Sequence, residues 1–298
     1  MNLSRLVPRP RFLPQFATWS ALRDLRIGIT GDRGVLGSLL KERLFNVDIQ
    51  AVTFSGDVAD AKSISRWIKA TRPDIMFHLA AIVPIRKVEA NPADAMRVNA
   101  TSLLPLSEAL ARFAPDSWVF LGSTSHVYHA HANSGTARLH LSEASATSPM
   151  SLYGATKLAG EQIMVPLAKH FGTRLCVGRI FSYFHERQPP AFLVPNLAGR
   201  IQHAKQGETI DVRDADAIRD FLHADMVVDA MLHLCARRFE GTINIASGRA
   251  IRIGAMAERL VVLSGRDVQI KHIPSDRVTR LVADVRRFRL IMAAPGSA

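Results

Sequence analysis

The sequence predicts a doubly wound α/β fold, in which a parallel sheet is covered by helices on both faces and carries a smaller, discontinuous α/β cap. Three observations predict it. Short apolar runs alternate with stretches of helical spacing from Leu25 to Arg179. A glycine-rich turn falls between the first apolar run and the first helical stretch. Beyond Arg179 the alternation loosens, and Pro189, Pro190 and Pro195 punctuate the chain. Short, continuously apolar strands separated by helices are what a sheet buried on both faces requires.

The elements follow in order. Leu25–Thr30 reads as the first strand, and Val35–Phe45 has helical spacing. Asp48–Thr53 reads as the second strand. Ala59–Ala70 reads as a helix with Ile64, Trp67 and Ile68 on one face. Ile75–Leu79, after Pro73, is the third strand. Asp94–Phe113 is a long helix, and Trp118–Gly122 the fourth strand. Leu152–Phe171 is a helix, and Leu175–Arg179 the fifth strand. The cap takes a helix near Asn196–Lys205, strands at Thr209–Val212 and Thr242–Ala246, and helices at Asp225–Arg237 and Ile253–Leu263. Ligands of such a sheet gather at the carboxyl ends of its strands.

The organisation is therefore an N-terminal extension at 1–23, a sheet domain at 24–180, and 181–298 as mainly cap with segments that return to the sheet domain. Three prolines in the extension, Pro8, Pro10 and Pro14, break any long helix, and it is expected to be flexible. No apolar run reaches the ~18 residues of a membrane helix. Two cysteines, Cys176 and Cys235, make no disulfide framework, and a cytoplasmic location is expected. The net charge of +12 calls for an anionic partner. The basic residues are scattered, and the densest cluster is Arg277, Arg280, Arg286, Arg287 and Arg289. No Lys/Arg run is interleaved with aromatics, so nucleic acid is not the expected partner. His126, His129, His131 and His140 lack the carboxylates or cysteines that usually complete a metal site, so no metal is expected.

The turn Thr30-Gly31-Asp32-Arg33-Gly34-Val35-Leu36-Gly37 stands between strand and helix, the context in which glycines admit a pyrophosphate to a helix N-terminus. The second strand ends in Thr53-Phe54-Ser55, without the carboxylate that grips the ribose of NAD. Arg33 lies where it could meet a 2′-phosphate, so NADP is slightly favoured over NAD. Tyr153 and Lys157 are four apart on one helix face. A nearby ammonium lowers a phenol's pKa and makes it usable in proton transfer. Thr124 lies just past the fourth strand, at the sheet edge where active sites form.

The ordered pieces resemble the extended short-chain dehydrogenase/reductases, in the branch of nucleotide-sugar epimerases, dehydratases and 4-keto reductases. They are the glycine turn, Asp57-Val58, His78-Leu79-Ala80-Ala81, Val98-Asn99-Ala100 and Gly122 to Tyr128. Tyr153-Gly154-Ala155-Thr156-Lys157, Arg179 to Tyr183, Arg219 to His223 and Leu281 to Asp284 complete the set, so the resemblance covers about residues 24–290.

The resemblance implies a Rossmann domain and a set of roles. Tyr153 would move a proton at a sugar hydroxyl or keto group, Thr124 would hydrogen-bond the same oxygen, and Lys157 would hold the nicotinamide ribose. Gly31, Arg33, Gly34, Val35, Gly37, Asp57, Val58, Leu79, Ala80, Ala81 and Asn99 would line the dinucleotide. Arg219 would meet the substrate diphosphate, with Arg280 or Arg277 beside it, and Ser125, His126, Phe192 and Asn196 would face the nucleotide-sugar. Ser125-His126 stand where the branch's dehydratases carry Asp-Glu, which argues against water elimination. The family's final Gly-Trp-x-Pro segment is absent after Arg289, so a last cap helix is expected to be missing. A reductase of a GDP- or dTDP-linked 4-keto-6-deoxyhexose is the first expectation, and an epimerase with tightly bound NAD the second. A catalytically silent relative and a scaffold subunit stay open. A homodimer through Asp94–Phe113 and Leu152–Phe171, as a four-helix bundle, is also implied.

Overall fold

The computed structural model describes residues 2–13, 22–83, 85–130, 140–276 and 278–293. Arg277, His131 and the last five residues lie outside these. The sheet domain runs β1 (Ile27–Thr30), α1 (Val35–Phe45), β2 (Val52–Phe54), α2 (Ala61–Thr71), β3 (Ile75–His78), α3 (Ile85–Ala90), α4 (Pro92–Met96), α5 (Leu103–Phe113), β4 (Trp118–Thr124), α6 (Leu152–Phe171) and β5 (Arg174–Ile180). The rest runs β6 (Ser182–Phe184), α7 (Leu193–His203), β7 (Glu208–Arg213), β8 (Ile218–Arg219), β9 (Phe221–His223), α8 (Ala224–Ala236), β10 (Gly241–Ile245), β11 (Ile251–Arg252), α9 (Ile253–Ser264), β12 (Val268–Ile273), β13 (Arg280–Leu281) and α10 (Arg286–Ala293).

Six strands pair in the order β10-β5-β4-β3-β1-β2, all parallel. This is a Rossmann-like sheet. Its order reverses at β1, so a crevice opens between the carboxyl ends of β1 and β3. Buried Ile27, Ile29, Phe77, Trp118, Phe120 and Cys176 fill one face against α1 and α8, and Met76, Val119, Leu121 and Val177 the other against α2, α5 and α6. The cap has its own apolar core, including Phe184, Val194, Leu197, Ile201, Met256 and Leu260. Its short sheets are β11-β8-β13, β12-β7 and β6-β9.

Three differences from the sequence reading have clear causes. The second strand starts at Val52 rather than Asp48, because Asp48 takes φ 61° and turns the chain. The long helix expected at Asp94–Phe113 is interrupted by a π-turn at Arg97–Thr101, which turns Asn99 inward. The N-terminal extension is not loose over residues 2–13. Leu3, Leu6 and Val7 are buried in the cap core and Leu13 in the sheet-domain core. The Leu3 amide donates to Glu186 Oε1 at 2.7 Å, and Arg9 pairs with buried Asp229 at 2.7 Å. The prolines prevent a long helix, but an irregular segment can still bury its apolar side chains. The chain also closes with α10, which packs on α8 and β10 of the sheet domain through buried Phe288.

Candidate active site

Gly31 takes φ 77°, and a Cβ there would lie 2.6 Å from the Ala80 amide nitrogen. A Cβ at Gly37 would run into the Gly31 carbonyl oxygen. Only glycine lets the turn fold this tightly across the β1–β3 crevice. Gly34 caps α1 with no side-chain hydrogen bond, so the first amides of α1 have no side chain competing for them. This cradle, with Val35 on its rim, fits a pyrophosphate at a helix N-terminus. Leu79, Ala80 and Ala81 line the crevice where β3 ends, half-buried.

Arg33 is exposed and reaches across to the Ser55 carbonyl oxygen, 3.4 Å away, just past the end of β2. Asp57 accepts from the Ala59 amide at 2.9 Å and pairs with Arg97 at 2.7 Å, which holds its carboxyl ionised below the usual range. Val58 is buried beside it. Asn99 differs from its expected role. Its Oδ1 accepts from the Ile82 amide at 2.7 Å, and its amide donates to Ile82 oxygen and Thr156 Oγ1. It clamps the loop after β3 onto α6, and its hydrogen bonds are spent on the protein.

Tyr153 and Lys157 lie on the first two turns of α6, whose cap is Ser151. Gly154 allows that start, because a Cβ there would strike the His126 carbonyl. The Tyr153 hydroxyl lies beside Thr124, which ends β4, close enough for Thr124 to favour its ionised form. Burial raises the Tyr153 phenol above its ordinary value, and neighbouring Tyr183 adds to this. Lys157 is not among the groups that shift it, so the lowering expected from the i, i+4 ammonium is not seen, and desolvation dominates. Burial pushes Lys157 itself down to about 8, against the pull of Glu161. Glu161 binds Arg179 in a buried pair at 2.7 Å and takes the Ser123 hydroxyl at 2.5 Å.

The His126 ring stands edge-on to Tyr153, with centroids 5.8 Å apart. Burial, with Arg219 nearby, lowers it to about 4, so it is neutral at pH 7. Arg219 is held by the Ile218 and Thr279 carbonyls and Thr279 Oγ1, and among the described residues it forms no ion pair with a carboxylate. Arg280 on β13 pairs in register with Ile218 rather than with Arg219, and its buried Nε has no hydrogen-bond partner among the described residues. The Arg219 guanidinium, held by neutral groups, suits an anion. The structure thus brings Thr124, Tyr153, Lys157, His126 and Arg219 together. Ser125 is buried just behind. Phe192 and Asn196 open α7, and no hydrogen bond or ion pair among the described residues joins them to Tyr153. Tyr183 and Glu161 were not singled out from sequence. Tyr183 lay in a matched segment, and Glu161 follows Lys157 by one helical turn.

The sequence reading also missed His185, Glu186 and His223, whose ligand atoms lie within 4.8 Å of one another. His223 bridges Glu186 at 3.3 Å and Asp225 at 3.2 Å, an ion-pair cluster. His185 Nδ1 accepts the Arg187 amide, which leaves its proton on the nitrogen facing Glu186 and makes it a poor metal ligand as arranged.

The profile of the NAD dependent epimerase/dehydratase family matches residues 27–246. The chain belongs to this family. It is an NAD(P)-dependent enzyme of the short-chain dehydrogenase/reductase type. It is similar to the GDP-6-deoxy-D-mannose reductase of Pseudomonas aeruginosa, 29% identical over 222 residues, which are 73% of this chain and 71% of that protein. Two solved structures share the fold at TM-score 0.79. One is RMD from Pseudomonas aeruginosa complexed with NADPH, 22% identical, covering 92% of this chain and 94% of that one. The other is the UDP-glucose 4-epimerase of Thermus thermophilus with NAD, 19% identical, covering 92% and 95%.

Proposed function

We propose that this enzyme reduces the keto group of a nucleotide-linked 4-keto-6-deoxyhexose, with NADPH as the hydride donor. The observation that carries the reading is one geometry: Tyr153 beside Thr124 at the sheet's carboxyl edge, one helical turn from Lys157, with His126 next to Tyr153 and Arg219 near His126. The likeness to a reductase of this class over most of both chains supports it. The family's dinucleotide supplies or takes a hydride when bound. The turn from Gly31 to Gly37 would hold its pyrophosphate, Lys157 its ribose, and Arg33 a 2′-phosphate. Tyr153, kept protonated by burial, delivers a proton to the oxygen that Thr124 also binds. Arg219 holds the diphosphate and so fixes the sugar against Tyr153.

The test begins with the purified protein. It is denatured and any released dinucleotide identified by mass spectrometry, and NADPH binding is titrated on a second sample. No retained dinucleotide, with NADPH binding, is the expected result. Tightly retained NAD would point instead to an epimerase that recycles its own hydride. Tyr153→Phe should lower turnover by about 10²–10⁴-fold while leaving NADPH binding in place. Self-association through α5 and α6 belongs to the same reading. Leu104 on α5, and Leu152 and Val165 on α6, are exposed apolar side chains.

A further inference from the structure

Residues 2–13 lie ahead of the region that the family profile matches, which begins at residue 27, so the family match does not account for them. The segment is nevertheless built into the molecule at both ends. At one end Leu3, Leu6 and Val7 share the cap core with Val194, Leu197 and Ile201, the buried face of α7. The Leu3 amide is held by Glu186 Oε1 at 2.7 Å, and Glu186 Oε2 stands 3.3 Å from His223 Nε2. At the other end Arg9 pairs with Asp229 on α8, and its Nε donates to the Leu13 carbonyl at 3.2 Å. Leu13 is buried in the sheet-domain core. The segment therefore runs from the cap to the sheet domain. What it meets in the cap is α7, which packs on α9 and is opened by Phe192 and Asn196. The Pro195, Ala198 and Gln202 side of α7 faces Leu3 and Glu186 across a cleft of about 360 Å³. A wall with such a gap is not close-packed, so the helix has room to shift there, and Leu3 and Glu186 are its anchors on that side.

Resting on the proposed reading, in which Phe192 and Asn196 face the nucleotide-sugar, we infer that residues 2–13 are a strap that positions α7 and so sets how tightly that substrate is held. Leu3 and Arg9 are positioning residues, acting through α7 and not on the substrate. With the strap seated, the cap is held in the arrangement that takes substrate. With the strap loosened, only a fraction of the molecules is in that arrangement, and binding must pull the rest back. Apparent affinity falls by that fraction. Once substrate is bound, the same complex reacts, so KM rises and kcat stays. A variant that merely unfolds part of the sample gives the opposite split. It leaves fewer active molecules, so kcat falls and KM stays.

The experiment uses the full chain with NADPH and, in separate samples, a GDP- and a dTDP-linked 4-keto-6-deoxyhexose. Leu3→Ser removes the apolar anchor, and Leu3→Met keeps its volume. Arg9→Gln breaks the other end at a part-exposed side chain, with no apolar group lost. Leu3→Ser and Arg9→Gln should raise KM for the sugar nucleotide about fivefold or more, with kcat and the Kd for NADPH within about twofold of wild type. Leu3→Met should restore KM. Amide hydrogen exchange is read in parallel without substrate. The α7 amides should exchange faster in Leu3→Ser and Arg9→Gln, and the α6 amides at the wild-type rate. A lowered kcat at unchanged KM overturns the inference, and so does unchanged exchange over α7. Should Leu3→Ser not fold, Arg9→Gln carries both readouts. If the wild type turns over neither sugar nucleotide, the proposed function fails and the claim on substrate affinity falls with it, while exchange over α7 still decides whether the strap seats that helix.

Discussion

Burial sets the protonation of the site one side chain at a time. Lys157, pushed down to about 8, is an ammonium at neutral pH and loses its proton just above it. A neutral Lys157 holds a ribose hydroxyl less firmly. Reduction should therefore be flat from pH 6 to 7 and fall toward tenfold per unit above pH 8, as a pH profile of kcat/KM would show. His223 behaves in the opposite sense. Burial works against its charged form, but Asp225 and Glu186 overcome this and raise it above the ordinary 6.5. A raised base adds stability that is complete below pH 6.5 and fades as pH climbs through the folded-state value. The Tm difference between wild type and His223→Gln should be largest at low pH and shrink on the alkaline side. A constant difference across the range would exclude that charge as its source.

At the scale of elements, α6 does most to build the site. It presents Tyr153 and Lys157, takes the Asn99 clamp through Thr156, and reaches β5 through Glu161. Arg179 Nε and Nη2 meet Glu161, and its Nη1 meets the Tyr128 hydroxyl at 3.0 Å, which in turn donates to Asn244 of β10. Removing one charge from a buried pair leaves the other uncompensated, so Glu161→Gln should cost about 3–5 kcal/mol in denaturant unfolding. Gly154→Ala should fail differently, by pushing α6 away from His126, with turnover lost before stability. The bounds of α6, Leu152–Phe171, were readable from sequence, because helical spacing runs unbroken from a serine cap to a glycine stop. Five of the six strands were readable for a similar reason, but Thr242–Ala246 and Asp225–Arg237 were assigned to the cap, whereas β10 completes the main sheet and α8 packs on its face. The π-turn was not, since one inserted turn hardly disturbs the apolar spacing around it. Nor were β8, β11 and β13, whose two-residue length carries no periodicity. The Tyr153–Lys157–Thr124 set was readable as a motif, but the upward shift of Tyr153 was not, because burial is a property of the packed molecule.

The whole molecule has three apolar cores, one on each face of the sheet and one in the cap, and residues 2–13 tie the cap core to one of the sheet's. Truncation of this segment should expose the cap core at Phe184 and Ile201 and lower the Tm by several degrees. Arg9→Ala tests the polar half of the tie, since Asp229 would keep only Arg43 beside Arg9's vacated place. Leu104→Glu with Val165→Glu should yield a monomer by light scattering if α5 and α6 form the dimer contact. A chain that is monomeric before mutation would exclude that contact. The tie also has a history in time. Leu3, Leu6 and Val7 leave the ribosome some 180 residues ahead of Phe184, and further still ahead of Met256 and Leu260. During synthesis they have no partners and must stay soluble while the sheet domain folds without them. Three prolines and four arginines in the extension suit that wait, by resisting premature helix and strand. The cap is then sealed by a segment made well before its partners, so a bulky insertion directly ahead of Leu3 should slow the last folding step more than the same insertion after α10.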